Sequence, residues 1–317
     1  MIALILMLAF VTAGDHDLSL AFGGATRTYL VRLPPRFRER GPLPVVLAFH
    51  GGGGNAAGFK AYAGLDALAD REGFVVVYPD GSGRLGRRLL TWNAGTCCGY
   101  ARDNNVNDVA FALAALRDLA RDLPLDPTRV YATGHSNGAM MAYRLAVEAS
   151  DRIAAIAPVA GTMVTDRFQP ARPVPVLHIH SVDDPRALYA GGVGPPFPGT
   201  QSRVTHRGVE PVLARWVAHD RCPREARVAE RLTAPSRGNG PGHTATLLVF
   251  APCAPGAEVQ LWRLTGAGHG WPGGSSQLPE RLMGPATKVI SAADEAWRFF
   301  RRWRRDGAPP LRGEARD

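Results

Sequence analysis

Hydrophobic residues in this chain come as short unbroken runs separated by longer periodic stretches. Pro44 to His50 (PVVLAFH), Phe74 to Tyr78 (FVVVY), Val130-Tyr131-Ala132 and Ile153 to Val159 are almost wholly apolar, and in Val174 to His180 the apolar residues alternate with His178 and His180. Such runs predict strands buried on both faces, as in a parallel sheet. Arg27 to Leu33 alternates and predicts an edge strand, ended by Pro34-Pro35. Between the runs lie helical spacings. Ala57 to Glu72 brings Leu65, Leu68 and Ala69 to one face, and Val106 to Leu123 repeats Val109, Leu113, Leu116 and Ala120. Ala139 to Glu148 is rich in helix formers, and Val209 to His219 groups Val212, Leu213, Trp216 and Val217. Thr246 to Phe250 and Val259 to Leu264 predict the last strands. Ser291-Ala292-Ala293-Asp294 is a capping box opening a helix through Ala296, Trp297, Phe300 and Trp303. Arg224 to Gly242 is polar and unpatterned, which predicts an exposed excursion. Gly307 to Asp317 predicts a polar tail. Strands alternating with helices, with no repeat or linker, indicate one α/β domain over 15–306 whose mostly parallel sheet is covered on both sides.

Composition changes this picture little. The chain has 317 residues, 45% hydrophobic, with a net charge of +9. That charge does not indicate a nucleic-acid partner. Lys60 and Lys288 are the only lysines among 37 basic residues, and the arginines are scattered apart from a cluster at Arg298, Arg301, Arg302, Arg304 and Arg305. No nucleic-acid motif accompanies them. The first 13 residues, MIALILMLAFVTA, are almost wholly apolar, too short to span a bilayer, and end in Val11-Thr12-Ala13. They read as a signal peptide (1–14) and predict a secreted or periplasmic protein without a stable membrane partner. Four cysteines, Cys97, Cys98, Cys222 and Cys253, then permit disulfides, with three connectivities open. No zinc-type spacing is present, so no metal is expected.

The chemistry centres on Gly134-His135-Ser136-Asn137-Gly138, a G-x-S-x-G turn between a predicted strand and a predicted helix. In a nucleophile elbow the serine sits on a sharp turn with its hydroxyl exposed, at the positive end of the following helix. His50-Gly51-Gly52-Gly53-Gly54-Asn55 follows a buried strand. Its glycines fit an oxyanion loop, with donors from an N–H in Gly51 to Gly53, Gly51 and Gly52 foremost, and from the N–H of Asn137. An acid after a strand downstream of the nucleophile is supplied by Asp183-Asp184, and a histidine after the last strand by His269 in Gly266-Ala267-Gly268-His269-Gly270. The order Ser136, Asp184 (or Asp183), His269 is that of the α/β-hydrolase fold. No cofactor is required. The long loop Ser82 to Asn105 predicts a structured rim, with Trp92 and Tyr100, together with Trp271, as substrate walls. Asp108 suits a helix N-terminus structurally. His178 and His180 share one strand face, as packing or hydrogen-bonded histidines rather than metal ligands.

These motifs together resemble the secreted poly(3-hydroxybutyrate) depolymerases and feruloyl esterases, a family overlapping the carbohydrate esterases that include acetylxylan esterases. The resemblance rests on His50 to Asn55, Gly134 to Met141, Trp92-Asn93 with Cys97-Cys98-Gly99, Asn107-Asp108-Val109, Leu177 to His180 with Asp184, and Gly268 to Gly274. It covers roughly Arg27 to Phe300. It implies an α/β-hydrolase that cleaves carboxylic esters of a polymeric or polysaccharide-linked substrate, with Asp184 as the acid and Cys222 paired to Cys253. Ser181 and Asp183 depart from the family's His-Gly-x-x-Asp pattern, and Arg224 to Gly242 is longer than the pattern.

Overall fold

In the computed structural model, residues 12–197, 201–235, 242–275, 279–307 and 311 are described. The proposed leader therefore lies almost wholly outside the described residues, as do most of the polar tail and residues 236–241 of the Arg224 to Gly242 segment. A hairpin comes first, β1 (Gly14–Phe22) and β2 (Ala25–Leu33), followed by β3 (Leu43–Phe49). Helices α1 (Ala56–Ala63) and α2 (Leu65–Glu72) replace the single helix expected over 57–72. Gly64 breaks them apart, at φ 72°, a left-handed backbone that glycine adopts without a Cβ penalty. Then come β4 (Val75–Pro79), the short α3 (Gly99–Asp103), α4 (Asp108–Leu119), β5 (Leu125–His135), α5 (Asn137–Glu148), β6 (Ala155–Val159) and β7 (Val176–Ser181). Two-residue strands β8 (Gly192–Val193) and β9 (Thr205–His206) precede α6 (Val209–His219), β10 (Arg227–Ala234), β11 (His243–Phe250), β12 (Val259–Thr265), α7 (Glu280–Met283) and α8 (Ala292–Phe300).

The main sheet runs β1-β2-β4-β3-β5-β6-β7-β12-β11-β10. Its centre, from β4 to β12, is parallel; β1 and β2 at one edge and β11 and β10 at the other are antiparallel. β3 and β4 are buried at every position, as their unbroken apolar runs require. Phe111, Met141, Tyr143 and Trp216 from α4, α5 and α6 cover one face of the sheet. Phe59, Leu68, Trp297 and Phe300 from α1, α2 and α8 cover the other. Ser291 caps α8 by accepting the Asp294 N–H at 3.3 Å, a contact that contributes about 1 kcal/mol.

β10 corrects the expected excursion. Arg227 to Ala234 pairs antiparallel with β11. It lies at the sheet edge and is mostly exposed, so its composition is polar. Asp108 takes the structural part expected of it: fully buried, it accepts from Arg27 at 2.8 Å and from the Asn93 N–H at 2.8 Å.

Candidate functional site

The parallel strands end at one edge of the sheet, where the glycine loop after β3, the turn after β5 and the loops after β7 and β12 converge. Ser136 joins β5 to α5 at φ 56° and ψ −118°. A left-handed backbone at a non-glycine residue stores about 1–3 kcal/mol and persists only where its surroundings enforce it. Those surroundings are close. A Cβ on Gly134 would stand 2.5 Å from the Gly138 backbone, and one on Gly138 would strike the Phe49 carbonyl. The Ser136 N–H is bonded to the Val159 carbonyl at 2.9 Å, which pins the turn to β6.

The Ser136 Oγ lies 2.8 Å from His269 Nε2, and His269 Nδ1 lies 2.7 Å from Asp184 Oδ2. The other oxygen of Asp184 accepts the N–H groups of Arg186 (2.7 Å) and Ala187 (2.8 Å). Burial by itself would raise the Asp184 carboxyl. The charge of His269 and hydrogen bonds from His180 and His269 outweigh it and hold that carboxyl well below the usual carboxylate range. Asp183 is exposed and accepts the Gly266 N–H at 2.7 Å, so it ties down the base of the histidine loop instead. The His269 backbone is held from two sides. Its N–H bonds the Met283 carbonyl, and its carbonyl accepts from His135 Nε2 at 2.7 Å. Burial, reinforced by the charge of His269, pushes His135 down to about 3. It therefore stays neutral, with its one proton on Nε2 and Nδ1 receiving the Tyr62 hydroxyl at 3.2 Å.

The glycine loop packs directly on the turn. A Cβ on Gly51 would lie 3.6 Å from Ser136 Cβ, and one on Gly52 would lie 3.5 Å from Asn137 Cβ. Among the described residues the N–H groups of Gly51, Gly52 and Asn137 have no hydrogen-bond partner, whereas the Gly53 N–H is bonded to the Leu90 carbonyl at 2.8 Å. Three unbonded N–H groups beside a serine hydroxyl form a ready site for a developing oxyanion. His50 holds the loop. Its Nδ1 donates to the Gly51 carbonyl (2.8 Å) and its Nε2 accepts the Gly81 N–H (3.0 Å). Burial pushes it down to about 4.

Two of the three expected substrate walls are not at the surface. Trp92 is fully buried. Its backbone N–H and carbonyl clasp the Asn137 side chain at 2.7 and 3.1 Å, and its indole N–H donates to the His50 carbonyl at 2.9 Å. It fastens the glycine loop to the serine turn from beneath. Trp271 is 5% exposed, donates to the Ala63 carbonyl at 3.1 Å and packs edge-on against Phe59. Tyr100 is half-buried on α3, and among the described residues no hydrogen bond of the site involves its ring. Cys222 and Cys253 form a disulfide, and so do the adjacent Cys97 and Cys98 next to Asn137.

Among the described residues, Phe197 lies over the glycine loop, in a Gly/Pro-rich stretch whose composition gave no signal. It is 39% exposed, and its ring stands 2.6 Å from where a Cβ on Gly53 would be. Arg186, two residues after Asp184, anchors that stretch through the Pro196 carbonyl at 3.0 Å. His206 lies nearby, within reach of the charges of His269 and Asp184. Burial pushes it down to about 4, and among the described residues its Nδ1 has no partner. No group of three His, Cys, Asp or Glu side chains able to hold a metal occurs among the described residues.

Comparison with known proteins agrees with this architecture. The solved acetyl xylan esterase from Aspergillus awamori superposes with a TM-score of 0.58 at 13% identity, over 91% of this chain and 99% of that one, which establishes the shared fold. NocK of Nocardia uniformis subsp. tsuyamanensis is 32% identical over 296 residues, 87% of this chain and 80% of its own. Feruloyl esterase B of Piromyces equi is 26% identical over 249 residues, 77% of this chain but only 42% of the relative's length. No helix among the described residues is long and apolar enough to cross a membrane. Residues 27–234 match the family described as Esterase PHB depolymerase, and the chain belongs to that family of carboxylic ester hydrolases.

Proposed function

We propose that the chain cleaves carboxylic esters with Ser136 as nucleophile, His269 as general base and then acid, and Asp184 as the group that fixes the imidazole. The observation that carries this is the continuous chain Ser136 Oγ, His269, Asp184, with links of 2.8 and 2.7 Å. The geometry supports one order of events. Ser136 loses its proton to His269 Nε2 as it attacks the carbonyl. The carbonyl oxygen takes up charge against the N–H groups of Gly51, Gly52 and Asn137, and Asp184 stabilises the imidazolium. His269 then protonates the leaving alcohol. Water, deprotonated by His269, releases the acyl group from Ser136.

The substrates we propose are esters of polyhydroxybutyrate type, or feruloyl and acetyl esters of plant polysaccharide, met by an exported enzyme. The named activities of the relatives support this, and so does an exposed ring, Phe197, beside the glycine loop. The test is hydrolysis of p-nitrophenyl butyrate and methyl ferulate by the protein and by Ser136→Ala. Turnover of both, lost in the variant, supports the nucleophile and a feruloyl substrate. Turnover of the butyrate ester alone supports the polyester or acetyl substrates. Activity that survives in Ser136→Ala refutes the mechanism.

A further inference from the structure

Three polar side chains that the mechanism does not use lie buried behind Asp184. Tyr143 on α5 and His178 and His180 on β7 are at most 1% exposed. The Tyr143 hydroxyl is 3.0 Å from His178 Nδ1, and His178 Nε2 is 3.0 Å from His180 Nδ1. His180 Nε2 lies 2.7 Å from the Ala187 carbonyl and 3.3 Å from Asp184 Oδ2. Burial pushes His178 well below its ordinary value, so its ring is neutral.

With His180 as a neutral imidazole, one arrangement of protons satisfies all these contacts. The Ala187 carbonyl and the Asp184 carboxylate can only accept, so His180 Nε2 must carry the proton. His180 Nδ1 is then an acceptor, and His178 Nε2 must donate to it. His178 Nδ1 is left to accept, and the Tyr143 hydroxyl donates. The carboxylate end thus sets the direction of the whole chain. Burying two imidazoles and a phenol hydroxyl in an otherwise apolar layer is unfavourable unless every polar atom is paired. Here each one is, and the last proton goes to the Ala187 carbonyl, with Asp184 Oδ2 3.3 Å from the same nitrogen.

We propose that His180 is a positioning residue for Asp184, with its proton oriented by His178 and Tyr143; this rests on the reading of Ser136, His269 and Asp184 given above. It acts on both carboxylate oxygens. The His180 Nε2 stands 3.3 Å from Oδ2, a close electrostatic contact beside His269. By holding the Ala187 carbonyl it also fixes the turn whose Arg186 and Ala187 N–H groups hold Oδ1. The carboxylate is thereby aimed at His269 Nδ1 before substrate arrives, and α5, which begins at the nucleophile, is tied to the acid through Tyr143.

The test compares His180→Leu, His180→Gln and Tyr143→Phe by kinetics on p-nitrophenyl butyrate, thermal melting, and the low-field proton NMR signal of His269 Nδ1–H, assigned by its loss in His269→Ala. Gln places an N–H near the position of Nε2; Leu has none. We expect His180→Leu to lose roughly tenfold or more in kcat with KM within about twofold, and to move the low-field signal. His180→Gln restores most of both. Tyr143→Phe keeps the ring but removes the far donor, and lowers kcat by roughly two- to fivefold with a smaller shift of the signal. A folded His180→Leu with wild-type kcat and an unmoved signal overturns the proposal, as does a Gln variant that falls as far as Leu. Should His180→Leu fail to fold, an unchanged kcat and signal in Tyr143→Phe overturns it instead. The NMR signal is read without turnover, so loss of the esterase reading, seen as hydrolysis indifferent to Ser136→Ala, is distinguishable from loss of this one.

Discussion

Two loops reach the Ser136 site, and they differ in what they do with their aromatic residues. The loop over 82–105 turns Trp92 inward, fully buried, with its backbone and indole bonded to Asn137 and His50. Its outward apolar side chains are aliphatic, Leu85 and Leu89, at 60% and 61% exposed. The stretch over 186–206 turns Phe197 outward above Gly52 and Gly53. A buried tryptophan usually pairs its N–H with an acceptor, and for Trp92 the carbonyl of His50 supplies it. Phenylalanine has no such demand and can stand at a mouth. The first loop is scaffold for the proposed oxyanion donors; the second carries Phe197, the ring proposed to meet substrate.

Substitutions sharpen this division. Trp92→Ala removes a buried indole and the clamp on His50, and should cost about 3–5 kcal/mol of stability together with activity. A melting curve beside an ester assay checks both. Trp92→Phe keeps most of the packing and drops the indole donor. It should lower kcat roughly tenfold with KM little changed, because a loosened glycine loop weakens only the transition state. Phe197→Ala should do the reverse, raising KM several-fold for aryl esters while kcat and melting temperature hold. If Trp92→Phe moves KM and Phe197→Ala moves kcat, the two roles have been assigned the wrong way round.

The histidines under and beside these loops give a pH signature. His50 beneath the first loop and His206 on the second are both pushed down to about 4, and His135 to about 3, chiefly by burial. Unfolding restores an ordinary histidine that binds a proton near neutrality, so the unfolded state holds more protons as pH falls. Their contribution is full above the unfolded value and is lost as pH drops from about 6.5 toward about 4. Melting temperature should fall across that window, and His50→Asn should flatten the fall. The smallest effect concerns Leu85 and Leu89. Changing both to Ser should leave soluble esters within about twofold but reduce adsorption to a solid polyester, measured by depletion of protein from solution.

Much of the parallel core was legible because burial on both faces writes an unbroken apolar run, as in Val75 to Tyr78. β10 was not, because an edge strand buries little and Arg227 to Ala234 looks like a polar loop. The convergence of Ser136, Asp184 and His269 could be read from chain order. Chain order alone left Asp183 and Asp184 open and the family pattern favoured Asp184, because the choice turns on which carboxylate the loop after β7 points at His269. Trp92 and Trp271 misled because their sequence neighbours place them near the site without saying which way they face. Phe197 gave no signal, because its position over Gly53 exists only once the stretch anchored by Arg186 is folded.

The most direct test of the central claim is labelling with a fluorophosphonate, followed by intact mass and peptide mapping. The account predicts a single adduct on Ser136, no adduct in Ser136→Ala, and labelling slowed by orders of magnitude in His269→Ala. An adduct on another residue, or labelling of Ser136 at the wild-type rate without His269, would contradict it.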